Sequence, residues 1–412
     1  MRRILLAIFA ATICLLQIGC WNRTELNELG ITAATGLDRV GDEWVVSYQI
    51  IVPTVTGTGQ GGGGGGGQPN VFVFSTNGKS IREAGDLGYM ENPRRLYFAH
   101  NEILVIGRTA AEQGIDQILD LYFRNIDARE TVLVAITDET AADILRKMVP
   151  PEKIPGSALS DILRKESNFS SFFPVVRVYQ LAQKIVSDSQ AAGVPEIHVT
   201  DGNAKALESL DVNKTTSPPV KMKIDRLGVF HRDKLVGWLD RKQSYGISWL
   251  TNQVKGSTVP FTCPKTSNTD QKIKGSIRLS GAKTKVTPIK EGDHYTMKIQ
   301  TQTRGDLLEY MCDQDPSKPE TIIAIQKQIS EAIIDAINSG WEASRKMHVD
   351  LPGFANKVHR KYPKDWKKIK DDWEKDLNSV KLDIQVKVKV QRPGLFKKSF
   401  DMLLNKKGSD GE

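Results

Sequence analysis

One stretch of the chain passes directly from a strand pattern to a helix pattern: Thr131-Val-Leu-Val-Ala-Ile-Thr-Asp-Glu-Thr-Ala-Ala-Asp-Ile-Leu-Arg-Lys-Met148. Its first part, residues 131–136, is a short run of aliphatic and β-branched residues, which is typical of a buried strand. The second part, residues 138–148, carries apolar residues at helical spacing, and Thr137 is predicted to be its N-cap. A strand followed at once by a helix is the repeating unit of α/β structure, so this stretch predicts an α/β fold.

The rest of the N-terminal half repeats this alternation. We predict strands at 44–52 and 71–74, an extended segment at 96–106, and helices at 80–90, 110–123 and 177–187. Either Thr76 or Asn77 is predicted to cap the first of these helices. Seven consecutive glycines, Gly61 to Gly67, lie between the first two strands. The surrounding segment 54–70 is therefore expected to be a flexible surface loop.

The C-terminal half has a different pattern. We predict paired strands at 222–230 and 234–238, further strands at 276–279 and 295–303, and a long helix at 320–339 that ends at Gly340. At 382–390 apolar and polar residues alternate, which predicts a strand with one buried face that pairs antiparallel to its neighbour. This half should therefore combine a largely antiparallel sheet with a long helix.

The best domain boundary is a polar segment that contains Thr215-Thr-Ser-Pro-Pro219. The fold class is thus α+β (mixed α/β) and multi-domain. We assign an N-terminal α/β domain to 20–205, a linker to 206–220, a C-terminal α+β domain to 221–395 and a loosely ordered tail to 396–412.

The N-terminus has the layout of a bacterial lipoprotein signal. Met1-Arg2-Arg3 is a positive start, an apolar run extends from Ile4 to Ile18, and Gly19-Cys20 follows. We expect cleavage between Gly19 and Cys20 and acylation of the Cys20 thiol, because two acyl chains anchor a protein stably. Gln17 stands where lipoprotein signals usually have Leu, so an uncleaved signal anchor, or ordinary cleavage with Cys20 as a free thiol, remains the alternative.

Composition and motifs argue against catalysis. The 412 residues carry a net charge of +8, and 26% of them are charged, which is typical of a globular body outside the signal. Gly78-Lys79-Ser80 lacks the earlier glycine of a phosphate-binding loop, because Val73 stands there. No Gly-x-Ser-x-Gly or His-Glu-x-x-His motif occurs. We expect no enzyme activity, no cofactor and no metal.

The segment from residue 357 to 370 concentrates basic residues around Tyr362 and Trp366. Such a pattern can bind nucleic acid, but an exported protein meets none, so we expect no nucleic-acid partner. Two interpretations stay open: a patch that faces anionic headgroups or an acidic partner, or a solvated helix face whose tryptophans pack inward. The candidate residues of the patch are Lys357, Arg360, Lys361, Lys364, Lys367 and Lys368.

Two cysteines follow the signal, Cys263 and Cys312. In an exported protein they could form a disulfide, which would stabilise the fold by about 4 kcal/mol on the chain-entropy argument. Two buried free thiols are the alternative.

Four blocks of sequence resemble one known family. The opening, Cys20-Trp-Asn-Arg-Thr-Glu-Leu-Asn-Glu-Leu-Gly30 with Gly36-Leu-Asp38, resembles the start of the Ger(x)C lipoproteins, the C subunits of bacterial spore germinant receptors, although Asn22 replaces their usual Asp. The later blocks are Pro93-Arg-Arg-Leu-Tyr-Phe-Ala-His-Asn-Glu-Ile-Leu-Val-Ile-Gly107, Gly228-Val-Phe-His-Arg-Asp-Lys-Leu-Val-Gly-Trp-Leu-Asp240 and Asp350-Leu-Pro-Gly-Phe-Ala-Asn-Lys-Val-His-Arg-Lys-Tyr-Pro-Lys-Asp-Trp366.

The resemblance implies a non-catalytic subunit of a nutrient germinant receptor, required for spore germination. It would be lipid-anchored through Cys20 on the outer face of the spore inner membrane or the cell membrane. Its partners would be two other receptor subunits, one with a large soluble domain and one transporter-like, which it would scaffold or stabilise. The alternative function is a lipid-anchored extracytoplasmic solute-binding protein, which would need an apolar pocket with convergent polar groups.

Overall fold

The computed structural model describes residues 1–5, 28–52, 69–218, 220–263, 275–312 and 314–392. Four of the features predicted above lie wholly or mostly outside these ranges: the signal beyond residue 5, Cys20, the glycine-rich segment 54–70 and the tail 396–412.

Fourteen strands and eleven α-helices are defined in the described ranges. The strands are β1 (Leu29–Val40), β2 (Glu43–Ile51), β3 (Val71–Gly78), β4 (Arg95–Tyr97), β5 (Ile103–Ile106), β6 (Leu133–Ile136), β7 (Val176–Arg177), β8 (Ala191–Val199), β9 (Met222–His231), β10 (Lys234–Leu239), β11 (Ser257–Phe261), β12 (Gly275–Glu291), β13 (His294–Tyr310) and β14 (Lys381–Arg392). The helices are α1 (Ile81–Glu91), α2 (Arg108–Gln113), α3 (Asp116–Arg124), α4 (Ala141–Arg146), α5 (Pro155–Phe169), α6 (Val178–Ile185), α7 (Arg241–Leu250), α8 (Pro319–Lys346), α9 (Phe354–Lys361), α10 (Pro363–Ile369) and α11 (Trp373–Asp376).

The first sheet is mixed and has the strand order β10-β9-β8-β6-β5-β1-β2-β3, with β4 beside β1 and β7 beside β6. Its centre, β8-β6-β5-β1, is parallel, while the pairs toward both edges are antiparallel. All four residues of β5 are buried, with Leu104 and Ile106 in one core cluster and Ile103 and Val105 in another. Helices and loops cover both faces of the central strands, which is why these strands are continuously apolar.

The second sheet has four strands in the order β11-β12-β13-β14. β11, β12 and β13 pair antiparallel, whereas β14 runs parallel to β13. The prediction that this last strand is antiparallel is therefore wrong. The long helix α8 is the main part of the connection between β13 and β14, and such a crossover returns the chain in the same direction. The mixed α/β class, the largely antiparallel second sheet and the long helix are confirmed.

The predicted linker 206–220 is packed rather than extended. It includes most of two short 3₁₀ helices, Ala204–Glu208 and Leu210–Lys214, whose Leu207 and Val212 are buried against the first sheet. The hairpin that follows, β9 and β10, extends that same sheet. By sheet membership the division therefore falls after β10, and the domain boundaries at 205 and 221 stay a prediction.

Several helices begin at other residues than predicted, because local hydrogen bonds decide where they start. Thr137 Oγ1 accepts from the Glu139 N–H (3.2 Å) and forms a turn, so α4 begins later and Thr140 is its N-cap. Likewise, β3 continues through Thr76 and Asn77, and Ser80 caps α1.

The predicted helix 110–123 is two helices, α2 and α3. Gly114 separates them with φ +138°, a conformation that ends a helix. The next N–H, that of Ile115, donates to the carbonyl of Asp233 (2.9 Å) in the β9–β10 turn. Helix α5 and strands β1 and β8 were not predicted. The two strands were missed because both of their faces are largely buried and show no alternation.

Helix α8 does not end at Gly340 but continues to Lys346. Gly340 instead marks the closest approach of α8 to α7: a Cβ there would lie 2.5 Å from the carbonyl oxygen of Gln243. Gly246 on α7 faces the backbone of α8 in the same way. Glycine on both helices lets their backbones touch, and this contact packs α7 and α8 beside the second sheet.

We predict that Gly340→Ala lowers the free energy of unfolding by about 2 to 3 kcal/mol, because neither backbone can move away without disturbing the core. Urea unfolding followed by circular dichroism measures the change. Gly88→Ala is the matched control, since a Cβ at this helical glycine meets its nearest side-chain atom at an ordinary 3.6 Å. A Gly340→Ala protein as stable as the Gly88→Ala protein would contradict the steric argument.

Candidate functional site

The six predicted patch residues lie on α9 and α10, at the C-terminal end of the second half. Lys357 is half-buried, and this burial, with Arg360 nearby, lowers the pKa of its ammonium. Lys361 Nζ donates to the carbonyl of Pro288 (2.7 Å), so it is held against the second sheet. Four side chains point to solvent and have no ion-pair partner among the described residues: Arg360, Lys364, Lys367 and Lys368.

Three of these free cations share one helix face, because Lys364, Lys367 and Lys368 are three and four residues apart on α10. The aromatic residues of the segment face the other way. Trp366 is 4% exposed and contacts Trp373 edge to face (5.4 Å between ring centroids). The two interpretations of the patch are therefore compatible on α10. Its tryptophan is buried in the core, and its lysines are exposed to solvent.

Asp350, the first residue of the last family block, holds the start of α9. It is buried, its Oδ1 accepts from the N–H of Phe354 (2.8 Å), and its Oδ2 accepts from the N–H of Ala355 (2.6 Å) and from Trp373 Nε1 (3.1 Å). Burial raises the pKa of Asp350, and the three N–H donors oppose that rise. One carboxylate therefore holds both the start of α9, which carries the first residues of the patch, and Trp373, which follows the patch.

Asp38, in the first family block, has the equivalent role in the other half. It lies on β1, and its two oxygens accept from the N–H groups of Ala141 (2.7 Å) and Ala142 (3.0 Å) at the start of α4. Burial raises the pKa of Asp38 while these bonds lower it. The positive end of a helix favours a carboxylate at this position. Both aspartates therefore hold the start of a helix.

The last family block also contacts the first half of the chain. Asn356 on α9 accepts from the N–H of Asp188 (3.0 Å) and donates to Ser189 Oγ (3.1 Å). His359 Nδ1 lies 2.8 Å from Asp188 Oδ2 and stacks on Trp366. These bonds dock α9 on the turn between α6 and β8, so the block positions the patch relative to the first sheet.

One cluster of carboxylates and a histidine resembles a metal site, but an arginine already pairs with both of its carboxylates. Ligand atoms of Asp138, Glu196 and His198 lie within 4.8 Å of one another. Arg226, however, donates from Nε to Glu196 Oε2 (2.7 Å), from Nη2 to Glu196 Oε1, and from Nη2 to Asp138 Oδ2 (3.0 Å). Its guanidinium also stacks on Trp238 (4.4 Å). Since the cation needed by the buried Glu196 is supplied by arginine, this donor set does not fit a metal.

The two later cysteines are joined in the structure. Cys263 and Cys312 form a disulfide with their Cα atoms 5.5 Å apart, and it links the segment after β11 to the segment after β13. Cys20 and Gly19 lie outside the described ranges. Within those ranges no helix is both long enough and apolar enough to cross a membrane.

In the second family block, Asn101 has a more constrained position than its neighbour His100. Asn101 is buried and its amide donates to Thr35 Oγ1 (3.0 Å) and Tyr122 Oη (3.4 Å). The ring of His100 lies 5.9 Å from the ring of Tyr97, centroid to centroid. No motif in the sequence connects these residues, because β1, the loop before β5 and α3 meet only in the folded chain.

We predict that Asp350→Asn destabilises the protein by about 2 kcal/mol, because an amide places its own N–H₂ against one of the three N–H donors. Thermal and urea unfolding measure the loss. Asp188→Asn is the control: its carboxylate belongs to a partly exposed pair with His359, so the change should stay below about 1 kcal/mol. Equal effects of the two substitutions would rule out a special role for Asp350.

Comparison with known proteins matches almost the whole chain. The family "Spore germination protein N-terminal domain" matches residues 22–199, and "Spore germination B3/ GerAC like, C-terminal" matches residues 225–394. Spore germination protein KC of Bacillus subtilis (strain 168) is 29% identical over 401 residues, which cover 96% of this chain and 97% of that protein.

Two further relatives extend the comparison. Spore germination protein A3 of Bacillus subtilis is 23% identical over 401 residues (94% of this chain, 96% of that protein). The crystal structure of the GerBC protein shares the fold with a TM-score of 0.53 at 16% identity, covering 87% of this chain and 97% of that one. The chain therefore belongs to the GerAC-like family of spore germination proteins, the Ger(x)C family that its four sequence blocks resemble.

Proposed function

We propose that this protein is a lipid-anchored, non-catalytic subunit of a nutrient germinant receptor. The observation that carries the proposal is the near full-length match to spore germination proteins, in a chain whose N-terminus has the layout of a lipoprotein signal ending in Gly19-Cys20. The absence of familiar catalytic motifs from the sequence supports a non-enzymatic role. The buried aspartates of the family blocks, Asp38 and Asp350, support it too, because the helix starts they hold already satisfy their oxygens.

The protein would act as a scaffold for two other subunits, one with a large soluble domain and one transporter-like. Two acyl chains on Cys20 would hold the folded body at the outer face of the membrane. Tethering confines both partners to a thin layer and raises their effective concentration, so a modest interface is enough for stable association. In this arrangement the subunit stabilises the ligand-bound or assembled state of the receptor.

The part of the patch on α10, Lys364, Lys367 and Lys368, would face the anionic membrane surface or an acidic surface on a partner. Its support is geometric: the lysines at 364, 367 and 368 share a face, point to solvent and have no ion pair among the described residues. Each well-placed cation near an anionic surface contributes about 1 kcal/mol. The patch would therefore orient a body that the lipid merely tethers.

The alternative function, an extracytoplasmic solute-binding protein on a lipid anchor, gains support from one feature. The first half contains a largely apolar pocket that Tyr48 and Asn101 help to line.

We predict that Cys20→Ala releases the protein from the membrane and abolishes germination in response to nutrients. Membrane fractionation of spores and a nutrient-germination assay measure both effects. Gln17→Leu is the control, because it restores the usual lipoprotein residue and should leave anchoring intact. Normal germination by a Cys20→Ala protein that stays in the membrane fraction would overturn the anchor.

We predict that the triple substitution Lys364→Glu, Lys367→Glu and Lys368→Glu lowers binding to phosphatidylglycerol vesicles by more than about tenfold, given roughly 1 kcal/mol per cation. Co-sedimentation, in a Cys20→Ala background that removes the lipid, measures binding.

The matched control reverses three exposed lysines elsewhere, Lys153, Lys165 and Lys234, with the same change in net charge. Equal loss in both triple variants would mean that net charge, not the patch, attracts the protein. Unchanged vesicle binding with failed germination would assign the patch to a protein partner.

A further inference from the structure

A pocket lies in the first half, between the first sheet and helices α1 and α3. Its walls are mainly apolar and include Leu37 and Val46 from the sheet, Ile81 from α1 and Leu121 from α3. The pocket is remote in sequence from the cation patch, and neither anchoring nor scaffolding requires it. It is thus a feature that the proposed function leaves unexplained.

Two polar groups in this pocket lack partners among the described residues. Tyr48 is 3% exposed as a residue, and its hydroxyl, which reaches the pocket surface, has no protein partner among the described residues. Asn101 donates through its amide nitrogen to Thr35 and Tyr122, but its Oδ1 accepts nothing. Thr35 and Tyr122 also lie within hydrogen-bond distance of each other (3.3 Å). A fixed polar network therefore positions the Asn101 amide, and two hydrogen-bonding groups remain available. Buried polar groups without partners are uncommon in folded proteins.

Helix α1 places a glycine, Gly85, in the wall of the pocket. A Cβ on Gly85 would meet its nearest atom, the Tyr48 hydroxyl, at 3.4 Å, an ordinary contact, and Gly85 has no left-handed backbone angle. Neither sterics nor conformation thus requires glycine. Glycine inside a helix is less stable than alanine. Helix α1 nevertheless has glycine at this position in the pocket wall, where the missing side chain leaves more space.

The charged residues near the pocket lie at its mouth. Arg82 and Asp86 on α1 are exposed and pair with each other (3.0 Å), and Arg129 is also exposed. The interior lining has no charged side chain, so an ion bound there would lose hydration without gaining a partner.

We propose that this pocket binds a small, uncharged, largely apolar molecule whose hydroxyl or similar polar group bonds to Tyr48 Oη and Asn101 Oδ1. This inference is independent of the proposed function, because a scaffold subunit can lack or possess a ligand of its own. The pocket also has the features that a solute-binding role requires: apolar walls with polar groups among them.

Phenol and toluene test the proposal, because they have nearly the same size and differ in one hydroxyl. The full chain in detergent micelles is labelled with ¹³C at isoleucine methyl groups and titrated with each probe by NMR. Ile81 reports on the pocket, and Ile299, in the core of the second half, reports on nonspecific effects. Phenol should shift Ile81 saturably and bind more tightly than toluene, by about fivefold for each hydrogen bond that its hydroxyl forms.

Three variants complete the test. Tyr48→Phe should reduce the preference for phenol about fivefold, because the bond to Asn101 Oδ1 remains. Gly85→Leu should weaken both probes by about tenfold or more because its side chain fills the pocket. Glu91→Leu, at the exposed end of the same helix, should change neither. If the Gly85→Leu protein does not fold, Gly85→Ala replaces it and should weaken binding less.

Several results would overturn the proposal. These are the absence of a saturable shift at Ile81, equal shifts at Ile81 and Ile299, or unchanged phenol binding by a folded Gly85→Leu protein. A preference for phenol that Tyr48→Phe leaves undiminished would refute the hydrogen bond assigned to Tyr48. Germination by the Cys20→Ala variant tests the anchor separately, so failure of either proposal is distinguishable from failure of the other.

Discussion

Two buried carboxylates at helix starts constrain both halves of this protein. Asp38 joins β1 to α4, more than one hundred residues later, and Asp350 joins α9 to Trp373. In each case an anion accepts from N–H groups that a helix start would otherwise leave unpaired. The helices held in this way cover the first sheet in one half and present the basic segment in the other. Elements far apart in the chain therefore depend on two short sets of hydrogen bonds.

This arrangement gives the aspartates of the family blocks a structural role. The first and last blocks contain the two aspartates, and the third ends in Asp240, which caps α7 through a reciprocal pair with Gln243. Residues of this kind keep the folded domains rigid and fix the orientation of their surfaces. A subunit that assembles with others at a membrane needs such a rigid body. The cation patch and the apolar pocket lie in different halves of the chain.

Sequence patterns succeeded where one local interaction decides the structure, and failed where a distant contact does. The buried strand β6 and the alternating strand β14 were both predicted, because side-chain periodicity reflects burial directly. Gly340 was predicted to end its helix, as glycine often does, but it serves a contact with α7 that no local signal reveals. The inward Trp366 of the basic segment was one of two interpretations, whereas the pocket beside Tyr48 was not foreseen at all.

The amino-acid sequence alone determined the mixed α/β class, the largely antiparallel second sheet, the long helix and the family, since these depend on periodicity and on contiguous blocks of residues. Only the tertiary structure decided that the hairpin after the predicted linker joins the first sheet, that β14 runs parallel to β13, and that Thr35, Asn101 and Tyr122 meet. The physical reason is the same in each case. Strand pairing and buried hydrogen bonds are chosen by which distant segments can share a core, and that choice leaves no mark in the spacing of neighbouring residues.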